Sequence, residues 1–585
     1  MRPRFVIVLG GRPPSAGLAS QLGLTLAVDR PDICALIAGN CRCYRLDDGF
    51  VIGTLFPRFG APRPLDLAQI DSGGADSAGA AETRLLDRYW GSYLAFSRRP
   101  SGHRILRDPS GALPCYYAET AFGLILASDV DLLLAAGGLV PEVSWPALVR
   151  HLYLRGLPSP ETCLRGIEEL LPGYTLDVAA GSVDQRMLWS PWTHAQAEQD
   201  AEAPDAVRLR RAVKTSVEAQ TDTGGRLLVS VSGGLDSSIV AACLVQAGRD
   251  VHCVTMFTAD PAGDERVYAR ELCRHLNLPL IERAYRVEDV DIDAAMSPHL
   301  PRPIGRTLAQ AYERAHLEAA ADIGADMFVT GNGGDNVFGF SQSAAPVTDY
   351  YLEHGFDFGL MRALRDVCRQ TESGPLTVLR AALRLRRRGY VWLAGPMFLD
   401  PTALAALAPQ VLHQPWLNAP AGTGTGKAAH VAGLLRVQQL LEPGRSRFAP
   451  VVAPLISQPV MEACLAIPSW RWRDGGRDRA VARAAFAADL PPAIIGRRSK
   501  SGPDGFSAII LRQHRAAIRE RLLDGALARN GVVDRNGLEA RFADTRPFSG
   551  EEQGRLLDLV DTEAWAGAWS ERAASIPPLV PAPAA

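Results

Sequence analysis

Val229-Ser230-Val231-Ser232-Gly233-Gly234-Leu235-Asp236-Ser237-Ser238 is the stretch on which the fold turns. An apolar run, 226–232, enters it, and a helical run, 238–247, leaves it and stops at Gly248. A buried strand, a glycine turn and a helix start thus follow one another without a gap. Glycines let the backbone approach an anion. Ser232, Ser237 and Ser238 offer hydroxyls, and the first N–H groups of the helix face outward, which makes a cradle for a phosphate or pyrophosphate. Asp236 repels phosphate on its own, so Mg²⁺ is its expected partner.

Outward from this loop, strand and helix alternate. A second strand is expected over 251–257, a helix over 265–276, a third strand over 281–287, a helix over 307–323 and a fourth strand over 326–330. That alternation predicts a parallel sheet with crossover helices, whose ligands bind beyond the carboxyl ends of the strands. From about residue 346 helical patterns dominate. Residues 1–189 differ: short apolar runs broken by turn signals predict a strand-rich unit. The run 5–11 is read as a buried first strand and not a signal peptide. The expected division is an N-terminal domain 1–189, a polar, alanine-rich linker 190–205, a second domain 206–570 that carries the parallel sheet, and a disordered tail 571–585. A flexible loop is expected over 61–81.

The totals bound the class. The chain has 585 residues, 47% hydrophobic and 22% charged, and its formal charge is −2 from 62 basic and 64 acidic residues. This balance excludes a general nucleic-acid binder or a basic membrane-surface protein. No apolar stretch is long enough to span a bilayer, so a cytoplasmic protein is expected. Ten cysteines lie at irregular spacing and predict buried free thiols, without a disulfide framework or structural zinc. Only Lys214, Lys427 and Lys500 are lysines; all other basic residues are arginine. A lysine kept in such a composition marks a place where a compact ammonium can be needed.

Further strings extend the pattern. Thr330-Gly331-Asn332-Gly333-Gly334-Asp335-Asn336-Val337-Phe338-Gly339 follows the fourth strand, where Asp335 can share Mg²⁺ with Asp236 across the phosphates of ATP. Asp264-Glu265-Arg266-Val267-Tyr268-Ala269 opens a helix, and Arg498-Ser499-Lys500-Ser501-Gly502 forms a late basic loop. In the N-terminal part, Gly91 to Phe96, Arg107-Asp108-Pro109-Ser110-Gly111, Pro114 to Tyr117, Ala127-Ser128-Asp129 and Leu170-Leu171-Pro172-Gly173-Tyr174 occur in order. Together these strings resemble the asparagine synthetase superfamily, of the glutamine-hydrolysing type, over nearly the whole chain. The resemblance implies an α/β fold of two domains: an Ntn-hydrolase-like αββα sandwich, then a parallel-sheet ATP-pyrophosphatase domain with a helical C-terminal part. It implies ATP and Mg²⁺ as cofactors. Ser230, Ser232, Gly233, Gly234, Leu235, Asp236, Ser237, Ser238, Thr255, Gly331, Gly333, Gly334 and Lys500 are then the nucleotide-binding set. Asp236 and Asp335 are the metal ligands, and Lys500 stabilises charge on the α-phosphate and the acyl intermediate.

Departures from the pattern narrow the function. The chain opens Met1-Arg2-Pro3-Arg4, without the N-terminal cysteine that such glutaminases use. Cys34, Cys41 and Cys43 lack the following glycine, and the glutamine-clamping strings are missing, so the glutaminase domain is expected to be degenerate. Asn332 and Asn336 stand where asparagine synthetases carry acids. This combination resembles the lasso peptide cyclases (macrolactam synthetases), as do Pro415-Trp416-Leu417, Gly426-Lys427-Ala428-Ala429-His430 and the segment from Ala453 to Pro459. The resemblance implies a leaderless core peptide as substrate, with a leader peptidase and a leader-recognition protein as partners. The alternatives are an asparagine synthetase using ammonia or glutamine, a small-ring (β-lactam-type) synthetase, and a non-catalytic scaffold. His299 and Glu265 are candidate general bases. Gly422 to Lys427 imitates a phosphate-binding P-loop, but Ala428 replaces its Ser/Thr and a helix start is expected there. The basic run 384–388 is read as a solvated helix face, and Trp470 and Trp472 as packing residues.

Overall fold

The computed structural model describes residues 3–11, 17–38, 41–46, 48–66, 80–179, 181–196, 203–222, 224–258, 263–305, 307–407, 414–438, 444–498 and 504–575. It is a two-domain α/β protein. The N-terminal part packs two six-stranded antiparallel sheets face to face. One has Phe5–Leu9 between Ile33–Ile37 and Gly123–Ala127, and the other has Gly49–Pro57 beside Tyr89–Arg99 and Gly102–Arg107. Both inner faces are apolar: Phe5, Ile7, Ile52, Leu94 and Ile105 are fully buried, and Phe50 stacks on Phe96 with centroids 4.6 Å apart. Helices Val130–Gly137 and Trp145–Tyr153 pack on the outside of the first sheet.

The second domain is built on a five-stranded parallel sheet. Its order in space is Leu280–Ala284, Val251–Phe257, Leu227–Ser230, Met327–Val329, Val451–Val452. Leu227, Leu228 and Val229 are buried on both faces, as a central parallel strand requires. Leu227 pairs in register with Val251 on one side and with Met327 on the other. Chain order therefore runs one way from Leu227–Ser230 and the other way from Met327–Val329. Between these two strands lies the switch point where such sheets bind ligands.

The alternation expected from the sequence is present, with shorter ends: the third strand stops at Ala284, and the fourth spans Met327–Val329. Val451–Val452 was not expected as a strand. Within the expected linker, Pro191–Ala195 is a helical turn capped by Ser190, and Trp192 is buried. Apolar period is undetectable over so few residues, yet one tryptophan suffices to anchor the turn. Residues 67–79 of the expected loop, 197–202 of the expected linker and 576–585 of the expected tail lie outside the described residues; residues 571–575, expected as disordered tail, instead complete helix Gly550–Ser575. None of the ten cysteines is in a disulfide. Among the described residues, no helix is long and apolar enough to cross a membrane.

Candidate active site

Two loops meet at the switch point. The first leaves Ser230 and enters helix Leu235–Gln246; the second leaves Val329 and enters the short helix Gly334–Val337. Gly233 takes φ +64°, and a Cβ there would lie 2.2 Å from the Cβ of Tyr268, so only glycine fits. A Cβ on Gly331 would stand 2.6 Å from the Ser237 nitrogen, and one on Gly334 would stand 2.4 Å from the Asp236 Cβ. The second loop is therefore seated directly on the start of the first helix.

Within the first loop the predicted residues divide. Ser232 is exposed and Ser237 half-buried, beside the first N–H groups of the helix, which have no intrahelical acceptor. Leu235 and Ser238 point inward, and Ser238 Oγ donates to the Gly234 carbonyl at 2.7 Å. Thr255 is buried within its strand. Ser230 bonds to Nε2 of His316, whose Nδ1 donates to the Tyr312 carbonyl at 2.8 Å. That pattern makes His316 a neutral imidazole accepting the Ser230 proton. Burial supports it, lowering the His316 pKa to about 3. Ser230 thus anchors the loop from behind.

Asp236 and Asp335 converge on one cation. Nη1 of Arg479 lies 3.1 Å from both carboxylate oxygens of Asp236 and 2.7 Å from Oδ1 of Asp335. Arg479 sits at φ +51°, immediately before helix Ala480–Ala485. Left-handed backbone costs a non-glycine residue about 1–2 kcal/mol. Burial works against its charge, but Asp236, Asp335 and Asp478 outweigh burial and raise its pKa. The two carboxylates that the sequence assigns to metal thus face one point, which a cationic nitrogen occupies. Among the described residues no set of three or more His, Cys, Asp or Glu side chains gathers to hold a metal. The remaining ligands would be phosphate oxygens and water, the usual manner for Mg²⁺.

Arg497 pins the first loop: Nη1 donates to the Ser232 carbonyl at 3.0 Å, Nη2 pairs with Glu265, and the guanidinium lies 4.0 Å from the Tyr268 ring centroid. Glu265 is thereby engaged in an ion pair. His299 is buried two residues beyond Ser297, where the adjacent Leu300 carbonyl accepts from Trp565 and Trp569. Lys500 lies outside the described residues.

Asn332 is exposed at the loop apex, and Asn336 donates through Nδ2 to the Gly433 carbonyl at 2.8 Å. His430 bonds to the Val337 carbonyl at 2.8 Å, fixing the same loop to helix Thr425–Gln438. The P-loop-like string does open this helix, as expected, but an internal carboxylate occupies its N-terminus: Asp349 accepts from the backbone N–H of Gly426 and Lys427 at 2.9 and 2.8 Å. Lys427 donates to the Leu465 and Ile467 carbonyls, both at 2.6 Å, and burial brings its pKa down to about 8. A cleft of 680 Å³ opens beside Asp349, Lys427 and Trp470. Trp472 is buried, as a packing residue should be, and Trp470 lies edge-on to Tyr350.

Arg479, Arg497 and His316 carry much of the site and were not singled out by the sequence. Each is an isolated residue, and the two arginines stand in a chain rich in arginine. The signal that could have found Arg479 is its place beside Asp478, just before a helix.

Comparison with known proteins fits this geometry. The sequence pattern of the family described as Asparagine synthase matches residues 208–431 and 448–567, more than half of the chain. That described as Glutamine amidotransferase domain matches 81–189. The chain is 28% identical over 229 residues to "Carboxyethyl-arginine beta-lactam-synthase" of Streptomyces clavuligerus, covering 36% of this chain and 40% of that protein. It is 29% identical over 126 residues to "tRNA-specific 2-thiouridylase MnmA" of Caulobacter vibrioides, covering 19% and 33%. These matches span less than half the length of either relative. A solved structure titled as the allosteric regulatory enzyme of purine biosynthesis has a TM-score of 0.23 and 10% identity, covering 56% of this chain and 89% of that one. The chain belongs to the asparagine synthase family.

Proposed function

We propose that this protein is a lasso peptide macrolactam synthetase. It adenylates an Asp or Glu side-chain carboxylate of a leaderless core peptide and joins that carboxylate to the peptide's own α-amine. One observation carries the proposal: the ATP and Asp335 loops interlock at the switch point, while the two acid positions flanking Asp335 hold amides. Asn332 is exposed, and Asn336 turns away to Gly433. Nucleotide chemistry is kept, and the acids tied to aspartate and ammonia are gone.

In the proposed reaction the carboxylate attacks the α-phosphate of ATP, and the bond to the β-phosphate breaks. The N–H groups of the helix start, with Ser232 and Ser237, hold the leaving pyrophosphate. Mg²⁺ on Asp236 and Asp335 would neutralise phosphate charge. Lys500 is assigned the charge on the α-phosphate. The peptide amine then attacks the acyl carbon and AMP departs. Holding both ends of one folded peptide makes the second step intramolecular. In this reading residues 1–189 are a platform without glutaminase activity, residues 206–570 are the synthetase, and a leader peptidase and a leader-recognition protein act beside it.

A second reading, closure of a small β-lactam-type ring, draws on the similarity to the β-lactam synthase. Incubation with Mg-ATP, aspartate and ammonium, followed for AMP and asparagine, separates these readings from asparagine synthesis. The proposal expects neither product, and expects a leaderless precursor peptide to lose one water with AMP release. Formation of AMP and asparagine together would overturn it.

A further inference from the structure

Asp236 and Asp335 stand on different loops, and a single nitrogen of Arg479 joins them. Three features hold that guanidinium. Asp478 accepts from its Nε at 2.8 Å and lies 2.8 Å from its Nη2. The Phe340 ring centroid lies 5.2 Å from the guanidinium carbon. The backbone of Arg479 is left-handed, a conformation that L-residues adopt at a cost and that persists where surrounding structure imposes it. Arg479 sets one positive charge against the two carboxylates, and its removal strengthens the pull of the pair on a divalent ion.

We propose that Arg479 is the resident counter-cation of the phosphate site. It excludes free divalent metal from the nucleotide-free enzyme and yields both carboxylates only to metal that arrives with a nucleoside triphosphate. The guanidinium is one rigid plane, so Nη1 leaves the carboxylates only when the whole group moves and Asp478 releases Nε and Nη2 or travels with them. The phosphate oxygens that accompany the metal then accept the displaced Nη1. Metal and nucleotide enter as one complex, and metal alone is turned away. This gate rests on Asp236 and Asp335 being the metal ligands.

Mn²⁺ tests the gate on the full-length protein, with protein-retained metal measured after ultrafiltration. A triphosphate whose α–β bridge is a methylene group serves as the uncleavable nucleotide. The wild type is expected to retain Mn²⁺ only with the analogue. Arg479→Gln is expected to retain it without nucleotide at least about tenfold more tightly than the wild type. Arg479→Lys, which keeps the charge, is expected to stay near wild type, with thermal unfolding confirming that both variants fold. Equal nucleotide-free affinity of the wild type and Arg479→Gln overturns the gate. If Asp236→Asn at the same time abolishes retention with the analogue, the metal reading stands alone. Tight retention by the wild type without nucleotide also overturns the gate, even if Arg479→Gln does not fold. Failure of the wild type to retain Mn²⁺ with the analogue overturns the gate and the metal reading together.

Discussion

Gly334 has no room for a methyl group: a Cβ there falls 2.4 Å from the Cβ of Asp236. Gly334→Ala must push one loop off the other and displace the Asp236 side chain. Since a misplacement of about 1 Å can cost about a hundredfold in rate, AMP formation by Gly334→Ala should fall by about that factor while the fold survives. A single-turnover assay beside a thermal melt checks this. His316 carries a pH prediction. Its folded pKa is about 3, because burial disfavours the imidazolium. As pH falls below the ordinary histidine value near 6.5, the unfolded chain takes up the proton first, so stability declines from there towards pH 3 and is flat above. One such group contributes about 1.4 kcal/mol per pH unit within that window. Urea unfolding at neutral and mildly acid pH should show the loss, and His316→Gln, whose amide can still accept from Ser230, should lessen it. Asp236 and Asp335 could be found in the sequence because an unbroken string surrounds each, glycines and serines for Asp236 and glycines and asparagines for Asp335. Arg479 is far less conspicuous, because only its place beside Asp478 and before a helix separates it from its neighbouring arginines.

Elements show the same division. Val251–Phe257 was legible because it is a long apolar run between turn signals, whereas Val451–Val452 is too short for any period. Helix Thr425–Gln438 begins where glycines end, but its cap comes from Asp349 on another helix, Ala345–His354, which no local pattern discloses. Ser469 also donates to that carboxylate, at 2.7 Å. Asp349→Ala leaves two half-buried N–H groups, the Ser469 hydroxyl and the half-buried Lys427 without their acceptor or counter-charge. It should cost about 2–4 kcal/mol in denaturant unfolding and leave nucleotide affinity unchanged. A large loss of ATP binding with unaltered stability would instead make this helix start a phosphate site.

Over the whole molecule, the two domains share polar contacts that the sequence does not reveal, because each joins residues hundreds of positions apart. Glu462 receives Arg58 at 2.7 Å and the Trp189 indole at 3.0 Å, with His194 at 3.3 Å, and Tyr174 reaches Gln414 at 3.2 Å. Glu462→Ala strands Arg58 and the indole at the boundary. It should lower stability by about 2–4 kcal/mol and split the calorimetric transition, whereas a single unshifted transition would show domains coupled by apolar packing alone. The central claim concerns the bond that forms first. A leaderless precursor peptide carrying heavy oxygen in its acceptor side-chain carboxylate tests that claim most directly. Adenylation by this site predicts one heavy oxygen in the released AMP and a peptide lighter by one water, with both lost in Asp236→Asn. Unlabelled AMP, or release of ADP and phosphate in its place, would contradict it.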